Sequence, residues 1–375
     1  MKVVHLIDHM GMGGEQMVVL DLVETRGPGI EPEVWSLSAR VLPSAGERLR
    51  AAGAPLSVLA FSKLDARAPF RLRSRLSRAR ADVLHLHLEF SGTFGAAAAL
   101  SLGSARPLLV ASIANDPIQR YSPPHRIAGR LLAPRLDAHV AISPSIARSI
   151  RTAYGGRARR VEVITPGLDL RRFEAPGIDP ARVAALRAGA GRVVGGVGRL
   201  GEQKAFHVLL DAVPRLLAAE PRTRVLIVGD GPQRAALEAR ARRLGVDRAV
   251  TFTGYLADPL PAYRAFDVFV LPSVDEGFGI VFLEAMAMGV PVIGTRVVGS
   301  VDAVEDGVTG LLVPSGDPAA LGEAVQRVLS DAELARRLAT AAAARVRERH
   351  ARELTTARSE ALYRELAQAR QARRV

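Results

Sequence analysis

The chain has 375 residues, 48% of them hydrophobic, which suits two packed cores and excludes disorder as the main state. It contains no cysteine, so disulfides, thiolate metal sites and a cysteine nucleophile are excluded. The formal charge of +13 is almost wholly arginine, the lysines being Lys2, Lys63 and Lys204; without an aromatic and basic platform this charge speaks against a nucleic-acid partner.

The opening Val3–Ile7 reads as a strand and Asp8–Glu15 as a loop leading into a helix over about Glu15–Val23. Gly13 and Gly14 let the backbone of this loop approach a diphosphate or an acceptor without Cβ clashes. A nicotinamide fingerprint would need glycine where Gln16 stands, and no acidic residue closes a second strand, which disfavours a dehydrogenase. Further apolar runs at Glu33–Leu37, Leu56–Ala60, Asp82–His87, Leu108–Ser112 and Ala138–Ile142 alternate with helical stretches, the pattern of a doubly wound parallel sheet.

Between two of these strands, Arg71–Arg80 reads as a basic crossover helix with Leu72 and Leu76 on one face. His85 and His87 point to the same side of their strand; they pack there, and without further ligands a metal site is not expected. Past Ser112, Asn115 is placed to hydrogen-bond a sugar hydroxyl and Asp116 to orient or deprotonate an acceptor, or both cap the following turn. Charge is uneven: Lys63–Arg80 carries seven basic residues against Asp65, and Arg120–Arg160 nine arginines against Asp137. Such clusters suit an anionic membrane, an acidic substrate or a solvated face.

Phe173–Gly191, with Pro176, Gly177 and Pro180, reads as a linker and entry helix. A second alternating unit starts at Arg192: the strand Val193–Val197 runs into a loop bearing Arg199 and Lys204, cations that could meet the charge growing on a diphosphate leaving group, although Lys204 could also be a plain surface lysine. The turns at Gly229 and at Tyr255 and Leu256 follow strands and can approach a nucleobase through backbone groups. Asp267–Leu271 is a buried strand, and Gly279–Met288 a helix ended by Gly289 and Pro291. Strand, glycine loop and helix together aim N–H groups and a helix dipole at the sheet edge. Glu276 and Glu284 could reach one ligand there from two heights, while Glu284 could equally pair with an arginine. Val290–Ile293 and Thr309–Val313 complete the sheet, and helices follow from Asp317.

The string Glu276-Gly-Phe-Gly-Ile-Val-Phe-Leu-Glu284, continued by Ala285-Met-Ala-Met-Gly289-Val-Pro291, resembles the signature of the retaining glycosyltransferase family 4. Ala141-Ile-Ser143-Pro-Ser145 and Val161–Asp169 are similar to family stretches too. The resemblance implies the α/β GT-B fold: two Rossmann-like doubly wound parallel-sheet domains facing across a cleft. They would comprise an acceptor domain over 1–175, a nucleotide-sugar domain over 176–351, and a last helix in 352–375 that returns to the first domain. It further implies that Glu284 receives ribose hydroxyls, Glu276 holds donor-sugar hydroxyls, and backbone N–H groups of Phe278, Gly279, Ile280 and Val281 contact sugar and phosphate. Arg199, Lys204 and the Gly13-Gly14 loop would attend the diphosphate, and Tyr255 and Leu256 the base. The chain departs from the family where a histidine near the transferred sugar is common, carrying Ala114 and Asn115.

The expected activity is retaining transfer of a hexose-type sugar from a nucleotide-diphosphate donor, UDP before GDP or ADP, to a hydroxyl acceptor that is lipid-linked or part of a glycan. No Asp-x-Asp motif occurs, so transfer is expected without metal, and no cofactor is expected beyond the co-substrate. A sugar-nucleotide epimerase or phosphorylase of the same fold, and a silent nucleotide-sugar-binding protein, are the alternatives. With no run of 18 uncharged apolar residues and a strand at the start, the expected place is the cytoplasm, peripheral to the inner face of the membrane.

Overall fold

A computed structural model describes residues 1–11, 13–61, 65, 67–174 and 177–373. Lys63, at the head of the first basic run, and Pro176, in the expected linker, lie outside the described residues, as does the expected boundary between 175 and 176.

Buried apolar runs form two parallel sheets. The first comprises β1 (Lys2–Ile7), β2 (Glu31–Ser36), β3 (Leu56–Val58), β4 (Val83–His87), β5 (Leu108–Ile113), β6 (Ala138–Ala141) and β7 (Val161–Val163), in the order β3-β2-β1-β4-β5-β6-β7. The second comprises β8 (Arg192–Val197), β9 (Thr223–Val228), β10 (Val250–Gly254), β11 (Val268–Leu271), β12 (Val292–Thr295) and β13 (Leu311–Val313), in the order β10-β9-β8-β11-β12-β13. In each sheet the order reverses beside the first strand, at β1/β4 and β8/β11. Diverging connections leave a crevice at the carboxyl ends of such strands, where ligands of open α/β sheets bind.

Both faces of the first sheet are covered, which is why its strands read as continuous apolar runs. Val4, Leu6, Leu84 and Leu86 pack against Leu72 and Leu76 of the helix Ala68–Ala79 and against alanines of the helix Glu89–Leu100. On the other face Val3, Val83 and Val110 meet Leu362, Tyr363 and Leu366 of the helix Arg352–Ala372. Polar ties hold that helix in place: Arg352 Nη1 donates to Glu24 Oε2 at 2.7 Å, Gly27 N to Glu360 Oε1 at 2.7 Å, and Arg370 Nη1 to the Arg106 carbonyl at 2.8 Å.

By packing, the chain divides into Met1–Gly167 with Arg352–Val375, and Leu168–Ala351. Leu168–Glu174, which the sequence reading assigns to the first half, go with the second because Leu168 N donates to the His350 carbonyl at 2.7 Å and Leu168 bridges Ala351. The entry helix observed is Pro180–Arg187, started by Asp179, whose carboxylate accepts from Ala181 N.

Candidate functional site

At the carboxyl edge of the second sheet, three strand ends are sewn together by backbone hydrogen bonds. Gly198 N donates to the Val228 carbonyl at 3.0 Å, Leu200 N to that of Asp230 at 3.0 Å, and Gly229 N to that of Gly254 at 2.9 Å. The approach is close enough to require glycine: Gly229 has φ +131°, and a Cβ there would lie 2.0 Å from the Gly198 carbonyl oxygen. These turns form one floor, with Arg199 and Tyr255 exposed and Leu256 half-buried.

Beside that floor β11 gives way to Pro272–Gly279. Gly279, with φ +84°, turns the chain into the helix Ile280–Ala287; its carbonyl takes Phe282 N at 2.8 Å, which leaves the N–H groups of Ile280 and Val281 at the open end of the helix. Half-buried Ile280 and Val281 sit in that turn, whereas the Phe278 ring is buried, 5.5 Å from that of His350, leaving Phe278 only its backbone to offer. The loop is shored from below by Gly299, whose φ is +81°; a Cβ there would come within 2.3 Å of the Glu276 carbonyl oxygen.

Lys204, from the loop after β8, reaches Glu276 in this loop. The Lys204 ammonium donates to Glu276 Oε2, and Ser273 Oγ donates to the same oxygen at 3.4 Å. Lys204 is thus no plain surface lysine, and the residue expected at the phosphate touches the one expected at the sugar. Eight positions further on, half-buried Glu284 receives a hydrogen bond from the Tyr263 hydroxyl rather than from an arginine. Burial pushes its carboxyl above the ordinary range, opposed by that bond and by the charge of Arg172. Tyr263, from the helix Leu260–Ala265, escaped the sequence reading because no motif surrounds it.

In the first unit, Gly13 and Gly14 are exposed where the helix Gly14–Glu24 begins, after Met12, which is outside the described residues. Asn115 is half-buried just past β5. The buried Asp116 carboxylate accepts from Ile118 N at 2.8 Å and its carbonyl from Arg120 N at 2.9 Å, the geometry of the turn-capping alternative. The histidines of β4 are joined by one the sequence reading did not connect to them: His5 Nδ1 lies 3.1 Å from His87 Nε2. Burial lowers the pKa of His5 and of His85 well below the usual imidazole range, with the charge of His87 adding to it.

Two family models match the chain, that described as Glycosyltransferase Family 4 over residues 12–172 and that described as Glycosyl transferases group 1 over residues 191–331. The D-inositol 3-phosphate glycosyltransferase of Kribbella flavida is 35% identical over 272 residues, 67% of this chain and 63% of that protein. The GDP-mannose-dependent alpha-(1-6)-phosphatidylinositol monomannoside mannosyltransferase of Mycolicibacterium smegmatis is 36% identical over 256 residues, 64% of this chain and 66% of that protein. The matches thus span less than two thirds of these relatives' length. Among solved structures, the Anabaena HepE protein in complex with UDP-glucose superimposes with a TM-score of 0.83 at 24% identity, covering 99% of this chain and all of that one. The chain therefore belongs to glycosyltransferase family 4, and its fold is of the GT-B class.

Proposed function

We propose that the protein is a glycosyltransferase that moves a hexose-type sugar, with retention and without a metal ion at the reacting centre, from a nucleotide-diphosphate sugar to a hydroxyl acceptor. The observation that carries this reading is the Lys204–Glu276 pair beside the first turn of the helix Ile280–Ala287, at the carboxyl edge of β11. The donor diphosphate sits over that turn and gives Lys204 a second anionic partner, while exposed Arg199 closes on it from the neighbouring loop. Charge growing on the departing nucleotide is then met by cations and N–H dipoles already in place. Glu276 holds donor-sugar hydroxyls and Glu284, steadied by Tyr263, those of the ribose. Gly229, Tyr255 and Leu256 border the base, and Gly13, Gly14, Asn115 and Asp116 belong to the acceptor half.

UDP is the preferred nucleotide, in keeping with the UDP-glucose held by the Anabaena protein, and GDP is the principal competitor, since the mycobacterial relative is named for GDP-mannose. The acceptor is a polyol or glycan hydroxyl close to a phosphate, free or lipid-borne, the chemistry that both relatives' names share. No described helix is long and apolar enough to cross a membrane. Contact with anionic lipid is made instead by the helix Pro123–Leu132, which exposes Ile127 and Leu131 beside Arg126 and Arg130.

A thermal-shift panel of UDP, GDP and ADP sugars, followed by acceptor-dependent release of the nucleotide, tests the reading. A donor at 100 times its dissociation constant adds about 2.7 kcal/mol of stability. Stabilisation by one nucleotide that disappears in Lys204→Ala supports the site; turnover without acceptor would indicate an epimerase, and no stabilisation at all would remove the donor assignment.

A further inference from the structure

We propose that His5, His85 and His87 form a binding site for one zinc-type divalent cation, buried in the first unit. Strand register brings the three together: His5 pairs with His85 across β1 and β4, and the alternation of a strand puts His85 and His87 on the same face. Their ring centroids are 5.6, 5.3 and 4.0 Å apart, and one nitrogen from each ring falls within 4.8 Å of the others. Zinc binds imidazole at about 2.0–2.1 Å, so a tetrahedral set spaces its nitrogens by about 3.4 Å. His5 Nδ1 and His87 Nε2 stand at 3.1 Å already.

The outer partners suit this role. His87 Nδ1 is 2.7 Å from Glu15 Oε1, which places the ring proton on Nδ1 and turns the Nε2 lone pair toward His5, the carboxylate–histidine arrangement that supports metal-bound imidazoles. His85 has Tyr363 Oη at 2.6 Å from Nδ1 and Ser112 Oγ at 2.9 Å from Nε2, and binding the cation exchanges one of these two hydrogen bonds for a metal bond while the other holds the ring. An all-imidazole set suits zinc, copper and nickel and is a poor one for magnesium or calcium, which take oxygen ligands. A water or Ser112 Oγ fills the fourth position. The cation ties β1 to β4 and, through Glu15 and Tyr363, to the helices Gly14–Glu24 and Arg352–Ala372.

The competing arrangement is a neutral stack in which one proton is shared between His5 and His87. Equilibrium dialysis of chelator-stripped full-length protein against Zn²⁺, with metal per chain read by mass spectrometry, separates the two. The expected result is one Zn²⁺ per chain and a raised melting temperature, with binding weakened about 10–100-fold in Glu15→Gln, lost in His5→Gln and His87→Gln, and kept in His139→Gln. Because the histidine variants could fail to fold, Co²⁺ is also added to the unaltered protein, where a tetrahedral site gives intense visible absorption. No uptake of Zn²⁺ by the unaltered protein, Co²⁺ that keeps the pale spectrum of its aquo ion, or uptake unchanged in folded His5→Gln and His87→Gln would each overturn the proposal.

Discussion

Lys204 and Glu276, 72 positions apart in the chain, hold each other in a salt bridge whose side chains are 12% and 11% exposed. A pair so shielded behaves as a unit, because removing one member leaves the other charge desolvated without a partner, at a cost of about 3 kcal/mol. Lys204→Met and Glu276→Gln are each expected to destabilise by about that amount and the double variant by less than the sum. A coupling of about 0.5–3 kcal/mol in denaturant melts is the signature; strict additivity would mean that the two do not act together.

Gly299 supports the same loop from behind. Gly299→Ala puts a methyl against the Glu276 carbonyl at a backbone angle that favours glycine. We expect a loss of about 1–3 kcal/mol and a fall in turnover caused by displacement of Glu276. Wild-type melting and turnover in this variant would show that the loop has room to give.

Tyr263→Phe removes the hydroxyl that donates to Glu284. Leaving that carboxylate short of a donor costs about 1–3 kcal/mol, and nucleotide-sugar affinity should fall while the affinity for inorganic diphosphate stays as it was. The Glu284 pKa is raised by burial, so its folded-state contribution to stability is fullest in acid and is lost as pH rises through the raised pKa. Donor affinity runs the other way, weakening as acid protonates the acceptor of the ribose hydroxyls. Titration calorimetry across pH with Glu284→Gln as reference checks both signs.

His139 titrates against the fold. Burial lowers its pKa to about 4 from 6.5, and its Nδ1 is enclosed without a hydrogen-bond partner. A depressed folded pKa means that stability is whole above pH 6.5 and declines as pH falls toward 4, by about 3 kcal/mol in all. Melting temperatures between pH 7 and 4 should drop less steeply in His139→Leu; parallel curves would assign the acid loss to other groups.

Ile127→Asp combined with Leu131→Asp should abolish binding to phosphatidylglycerol vesicles and leave the protein folded, since both side chains are exposed. Binding to neutral phosphatidylcholine vesicles should be absent in every form. Co-sedimentation that persists in the double variant would move the lipid contact elsewhere.

The strands were legible because the first sheet is covered on both faces, so the buried positions of β1 and β4 are apolar apart from their histidines; β11 is an unbroken apolar run, and Gly279 and Gly289 bracket the helix that follows it. Partnerships across the chain were not. Nothing local tells Lys204 that Glu276 will arrive, or His5 that a register match will set it against His85. Asp116 shows the same limit at short range: its type suits catalysis and turn-capping equally, and only the position of Ile118 N distinguishes them. The first unit's limit at Gly167 was hidden because the bond that carries Leu168 into the second runs from its N–H to the carbonyl of His350, near the far end of that unit.

The helix Arg352–Ala372 has a consequence for synthesis. Contacts such as Thr25 with Thr356 close 331 positions of chain, so the first half emerges from the ribosome before the residues that cover β1, β4 and β5 exist. Val3, Val83 and Val110 therefore wait uncovered while the whole second unit is translated, and a nascent chain stalled before Arg352 is a ready chaperone client.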